Sequence, residues 1–176
     1  MIVRLPTDRL LLREFTMEDE AAVHAYASDP LVTRFLVWGP DAEEDTRRFI
    51  AEAIGNAESP ERKTFDLAVV EKQSQTLVGG AAIRVVDADG RHGEIGYVFR
   101  RDVWSRGYAT ETAKSLVRFG FGTLRLRHIS ATCDPANVAS ARVLEKTGLA
   151  FVKHVPVLVR GANRDSLLFA CSPSDD

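Results

Sequence analysis

Cysteine is scarce: the 176 residues contain two, Cys133 and Cys171, with no CxxC pair and no Cys/His spacing of the zinc type. Neither a disulfide framework nor a structural metal site is therefore suggested; both thiols are expected to be reduced, in a cytoplasmic protein. No stretch approaches the roughly 18 uncharged apolar residues of a membrane span, and Met1 to Arg13 carries Arg4, Asp8, Arg9 and Arg13 where a leader would be apolar. Neither membrane insertion nor export is expected. A surplus of one charge is missing too: 23 Lys and Arg face 25 Asp and Glu, a formal net charge of −2, which argues against a nucleic-acid or membrane-surface binder driven by net charge.

Several chemistries lack their residues. There is no P-loop lysine pattern and no GxSxG, so nucleotide hydrolysis and serine-hydrolase chemistry have no support. Gly120-Phe121-Gly122 begins like a dinucleotide loop, but Arg125 stands where the third glycine belongs. His24, His92, His128 and His154 are scattered, and no metal is expected.

What is present is globular: 45% hydrophobic and 27% charged residues, in a chain long enough to bury about 70% of its unfolded surface around one core. Leu10 to Glu14 suits a short strand, and Thr16 with Asp19 three residues later signals a helix over Met17 to Ser28. Thr46, Phe49, Ile50, Ala53 and Ile54 share one face of a helix over Asp41 to Ala57, closed by Gly55 and Asn56. Strands are expected at Phe65 to Val69, Leu77 to Val86 and Gly93 to Phe99, the last two joined by a turn at Asp87 to Gly90. Beyond Tyr108 the apolar period becomes helical through Leu124, and His128 to Cys133 reads as a strand, so a parallel crossover is expected. A helix over Val138 to Lys146 and a hairpin of Phe151 to Val159 with Ser166 to Ala170, around Gly161-Ala162-Asn163, complete one α/β domain on a mixed sheet.

Chemistry concentrates where the strand ending at Phe99 runs through Arg100, Arg101 and Trp104-Ser105-Arg106-Gly107 into a helix opening with Tyr108, Ala109, Thr110 and Glu111. Helix N–H groups left free there, small residues and the arginines suit a diphosphate. Asn137 and Ser140 follow the crossover strand and offer amide and hydroxyl groups at the same strand ends. Phe35 to Pro40 is an apolar loop that either packs down between helix and sheet or lines a pocket.

Trp104-Ser105-Arg106-Gly107-Tyr108-Ala109-Thr110-Glu111 and Asn137-x-x-Ser140 followed by Leu144-Glu145-Lys146-x-Gly148 resemble the GNAT superfamily of acyl-CoA-dependent N-acyltransferases, within it the RimJ/RimL branch. Thr7 to Arg13 is similar to that branch's opening strand and Gly161 to Asp165 to its last hairpin. Trp104 departs from the usual Gln or Arg, and Phe169 stands where an aromatic hydroxyl is frequent.

The resemblance implies one N-acetyltransferase domain over 1–176, with acetyl-CoA between two splayed parallel strands, Glu94 to Phe99 and His128 to Cys133. It implies pantetheine along Val98, Phe99 and Arg100, pyrophosphate on Arg106 to Thr110 with charge from Arg101, and Asn137 on the pantetheine arm, with Arg142 on the same cofactor-binding helix. The thioester carbonyl would lie near an N–H of Val98 or Phe99, Ser140 would serve the leaving thiolate, and Glu94 would be the base, with Glu111 behind it. Phe35 and Trp38 would wall the acceptor. The expected acceptor is a peptide or protein α-amine; a small-molecule amine, or acyl-CoA sensing without turnover, are the alternatives. An acidic pocket at Asp41, Glu43 or Glu44 would favour a polycation. The resemblance to the branch also allows a homodimer.

Overall fold

The computed structural model describes residues 1–173. Eight strands form one sheet in the order β1-β2-β3-β4-β5-β6-β8-β7. The strands are β1 (Arg4–Pro6), β2 (Leu10–Glu14), β3 (Thr64–Glu71), β4 (Thr76–Val85), β5 (His92–Phe99), β6 (His128–Cys133), β7 (Ala150–Val159) and β8 (Ala162–Cys171). Every pairing is antiparallel except β5 with β6.

Helices α1 (Glu20–Ala27) and α2 (Glu43–Glu58) cover one face, where Val23, Tyr26, Ile50 and Ala53 are buried with Phe15 and Ala68. Helices α3 (Tyr108–Gly122) and α4 (Val138–Thr147) cover the other, where Leu116, Phe119 and Leu144 meet Leu67, Ile83, Ile95 and Ile129. The alternation of each strand decides which side chain joins which core.

The elements differ from expectation mainly at their ends. The first helix begins as a 3-10 turn at Met17–Asp19, whose Asp19 carboxylate accepts the Thr16 N–H at 2.8 Å and a two-pronged bond from Arg13. Helix α2 starts two residues late and runs through Gly55 and Asn56 to Glu58. Both of those residues are exposed, and a Cβ at Gly55 would meet nothing, so neither is forced to stop the helix. The final reversal is a two-residue turn of Arg160 (φ 50°) and Gly161 (φ 83°), with Ala162 and Asn163 already in β8. Gly120 lies where α3 presses on the sheet: a Cβ there would come 2.6 Å from Ile129 Cδ1. The residue that resembled part of a nucleotide loop is a close-packing glycine.

Candidate active site

The site is built by a parting of strands. β5 and β6 are in register at His92↔His128, Gly93↔Ile129 and Glu94↔Ser130. Past Glu94, β5 stays on β4 as far as Gly79↔Phe99, and β6 stays on β8 as far as Cys133↔Leu167. The two parallel strands diverge and leave a V-shaped gap at their carboxyl ends.

Which backbone groups face the gap follows from two hydrogen bonds. Val86 N–H donates to the His92 carbonyl and Arg100 N–H to the Val78 carbonyl, each at 2.9 Å. Backbone polar groups alternate sides along a strand, so the even positions of β5 face β4 and the odd ones face β6. Val98 and Arg100, expected to pair with pantetheine, therefore have their backbone groups turned into the β4 ladder. Tyr97 and Phe99 point theirs at the gap. The Phe99 carbonyl is taken by the Trp104 indole N–H at 2.9 Å. This is what tryptophan does at the position where Gln or Arg is usual: it ties the loop to the strand end.

Beyond β5 the chain makes a 3-10 turn at Arg101–Val103 and reaches α3 with positive φ at Ser105 (62°) and Gly107 (79°). Gly107 caps α3 in the left-handed region; a Cβ there would sit 3.5 Å from Arg9 Nη2, so the constraint is backbone conformation and not space. The first-turn N–H groups of α3 have no intrahelical carbonyl and open toward the gap, with the positive end of the helix dipole.

Arg9, at the entry to β2, holds this loop. Its Nη1 donates to the Arg106 carbonyl at 2.9 Å, its Nε to Glu111 Oε2 at 2.8 Å, and its guanidinium lies 4.7 Å from the Tyr108 ring centroid. Glu111 also accepts from the Thr7 hydroxyl at 2.6 Å and from the Arg9 N–H at 2.8 Å. Burial raises the Glu111 carboxyl, but these bonds and the adjacent Arg9 charge outweigh it and leave its pKa below the ordinary range. Glu111 is thus a strut of the loop, unsuited to accept a substrate proton.

At the other wall Asn137 caps α4, its Oδ1 accepting the Ser140 N–H at 3.1 Å, which leaves its amide N–H groups to the gap. Ser140 Oγ lies 3.0 Å from the Tyr97 hydroxyl. Thr147 on the same helix shows the other arrangement, its hydroxyl bonded to the Val143 carbonyl four residues back at 2.8 Å. Burial pushes the Tyr97 phenol up to about 12.

A cavity of about 1120 Å³ runs from this gap to the face covered by α1 and α2. Glu94, Val98, Phe99, Gly107, Tyr108, Ala109, Asn137, Ser140, Phe35 and Trp38 line it together. Arg100, Arg101, Arg106, Thr110 and Arg142 do not. Arg100 is held by Asp102 at 2.9 Å, Arg101 turns to Asp29 at 3.6 Å, away from the phosphate loop it was expected to charge, and Arg106 and Arg142 are exposed. Leu31 to Asp41 forms an apolar strap over the α1–α2 end of the cavity, with Val37 and Trp38 exposed and the Arg160 guanidinium bonded to the Thr33 and Trp38 carbonyls at 3.3 Å. Phe35 and Trp38 belong to the cavity wall and to neither core cluster.

Carboxylates on this side are matched by cations: Asp41, Asp45, Glu52, Asp66 and Glu94 line the cavity with Arg34, Arg48, Arg84 and Arg164. Glu43 and Glu44 are exposed outside it. Burial raises Asp41 and Asp66, the latter only partly offset by Arg84 and Arg62. Cys133, also on the wall, is a free thiol raised by burial, and Phe169 is buried in the core. Among the described residues no His, Cys, Asp and Glu cluster has metal-binding geometry.

A family model of the acetyltransferase (GNAT) domain matches residues 9–150. The chain belongs to the GNAT acetyltransferase family. Among its GNAT relatives, YnaD of Bacillus subtilis (strain 168), an uncharacterized N-acetyltransferase, is 34% identical over 148 residues, 84% of this chain and 82% of its own. A GNAT-family acetyltransferase from Bacillus anthracis superposes with a TM-score of 0.87 at 31% identity, covering 97% of this chain and 98% of that one. RimL, a ribosomal L7/L12 α-N-protein acetyltransferase solved with coenzyme A, shares the GNAT fold with a TM-score of 0.85 at 15% identity, over 99% of this chain and 100% of its own. The protein is an N-acetyltransferase with the GNAT fold.

Sequence reasoning singled out neither Tyr97 nor Arg9, and it gave the Trp104 indole no partner of its own. Tyr97 stands beside the Val98 to Arg100 segment that was singled out, and the period-2 alternation of β5 was a signal for it: Tyr97 shares the parity of Phe99.

Proposed function

We propose that the gap between β5 and β6 takes acetyl-CoA and that the acceptor is the α-amine of a peptide or protein chain entering under the Leu31–Asp41 strap. The observation that carries this reading is the divergence of the strands after Glu94↔Ser130, with the Tyr97 and Phe99 backbone aimed at a continuous cavity. Pantetheine is an extended chain with two amides, and it would continue the sheet from β5 as an added strand would. Its pyrophosphate would meet the N–H groups at Gly107, Tyr108, Ala109 and Thr110, and the Asn137 amide would bond the arm. Arg106 and Arg142 would then act from the rim, as charges in solvent.

In the transfer, the amine nitrogen bonds the acetyl carbon, the C–S bond breaks with its electron pair on sulfur, and the proton lost by nitrogen is balanced by one gained by sulfur. The Phe99 N–H would face the oxyanion; the Val98 N–H, spent on β4, would not. Ser140 would donate to the thiolate. Glu94 faces the acceptor side and would take the amine proton, directly or through water. An α-amine, with a pKa near 8 against about 10.4 for lysine, asks little of such a base. Apolar walls with charges of both signs favour a peptide end over a polycation, whose binding would need carboxylates without neighbouring arginines.

The test has two arms. Acetyl-CoA at 100 times its Kd should add about 2.7 kcal/mol to the unfolding free energy, and Gly107→Ala, which puts a side chain at φ 79°, should shrink that gain. Mass spectrometry should then find acetyl on peptides with a free N-terminus and none on the same peptides with a blocked N-terminus and an internal lysine. Transfer only to small amines would move the acceptor assignment, cofactor binding without any transfer would make the protein an acyl-CoA sensor, and no thermal shift would remove the site.

A further inference from the structure

Tyr97 is two residues from the strand end, on the odd face of β5, with its ring packed beside the α3–α4 core. Its hydroxyl reaches Ser140 twice, at 3.0 Å to Oγ and 3.3 Å to the carbonyl oxygen. A phenol has one proton to give. The Ser140 carbonyl, in the first turn of α4, already has the helical N–H four residues on as its donor, and 3.3 Å is long for O–H···O. Oγ is the nearer acceptor, and a serine hydroxyl has two lone pairs and a single proton.

If Tyr97 donates to Oγ, the serine proton cannot be spent on Tyr97 and must find another acceptor. Ser140 and Tyr97 both line the cavity, so that direction is the gap. Were Ser140 the donor, its proton would be turned away from any ligand.

We propose that Tyr97 is a positioning residue: its hydroxyl donates to Ser140 Oγ and thereby aims the Ser140 proton at the thiolate sulfur of coenzyme A. The inference rests on the reading of the gap as the acyl-CoA site and goes beyond it by assigning the group that sets the serine. No proton leaves Tyr97, since burial holds the phenol protonated across the working pH range. Its bond to Oγ polarises the serine O–H and makes it a better donor.

Coenzyme A itself is the probe, and no acceptor is needed. The affinity for coenzyme A at a pH above the pKa of its free thiol is compared with that for desulfo-coenzyme A, by calorimetry, in the wild type, Tyr97→Phe, Ser140→Ala and the double variant. Tyr97→Phe should weaken binding of the thiolate about five- to tenfold, the scale of one ordinary net hydrogen bond, raise the pKa of the bound thiol, and leave desulfo-coenzyme A unchanged. The double variant should be no worse than Ser140→Ala alone.

Unchanged desulfo-coenzyme A binding shows that the variants fold and keep the cradle. Equal losses for both ligands in Tyr97→Phe would overturn the proposal, because the hydroxyl would then only support structure. A Ser140→Ala loss with none from Tyr97→Phe, or additive losses, would overturn it and leave the acyl-CoA site standing. No binding of either ligand to the wild type would overturn the site and the proposal together.

Discussion

Single side chains in this protein take their character from the one or two groups that meet them. Asp19 is buried at the start of the first helix, a position that raises a carboxyl, yet its pKa is lowered because Arg13 and the Thr16 N–H bond its ionised form. A depressed folded-state pKa contributes stability that is full above the unfolded value of about 4 and is lost as pH falls through the folded value beneath it. Asp19→Asn should accordingly lower Tm at pH 7, by about 1 kcal/mol or roughly 2–4 °C for a chain of this length, and the gap to wild type should close on acidification below that range. Thermal melts at pH 7 and pH 3 check it; a gap independent of pH would mean that the ion pair contributes nothing. Gly107 shows the same locality in the backbone, where a φ of 79° singles out glycine although there is room for a methyl group.

Elements cooperate across long stretches of chain, and the loop between β5 and α3 is the clearest case. Its shape is imposed by Arg9, 97 residues from the Arg106 carbonyl that it holds. Half of the Arg9 side chain is exposed, so its ion pair with Glu111 should contribute less than about 1 kcal/mol to folding. Its effect on binding should be larger, because the carbonyl it restrains would otherwise be free to turn toward an anionic ligand. Arg9→Ala is expected to weaken acetyl-CoA binding about fivefold, the scale of one ordinary net hydrogen bond, with little change in Tm. A large fall in Tm with affinity intact would reverse that division. Helix α3 is fitted to the sheet by Gly120, whose missing Cβ lets the helix settle on Ile83 and Ile129 close to the apex of the gap.

On the scale of the molecule, the gap divides the sheet. Strands β1 to β5 form one antiparallel part and β6 to β8 another; three residue pairs join them, along with α3 and α4. A ligand held at once by β5, the start of α3 and the start of α4 would strap the parts together. Hydrogen exchange should therefore show slower amides not only at the contact surface but in β6 and β8 when acetyl-CoA is added. Slowing confined to β5 and the first turn of α3 would show that the two parts already open as one.

Much of this was legible in the residues themselves. The alternation and the 3.6-residue period marked β2 to β6 and all four helices to within a few residues, and the stretches Trp104 to Glu111 and Asn137 to Gly148 carried the family, because loop conformation and helix capping depend on near neighbours. The short β1 was missed for want of length, and Gly55 and Asn56 misled because a stop signal in an exposed last turn is weak against the packing of Ile50 and Ala53. What only the tertiary structure decided was which groups meet. The insertion of β8 between β6 and β7, the turning of the Val98 and Arg100 backbone into β4, the departure of Arg101 to Asp29, and the meeting of Tyr97 with Ser140 across 43 residues all depend on register and crossing geometry. Local sequence sets what each segment is, since its pattern recurs every two or four residues; where two distant segments touch is set by how the whole sheet pairs and parts, and no local pattern encodes that.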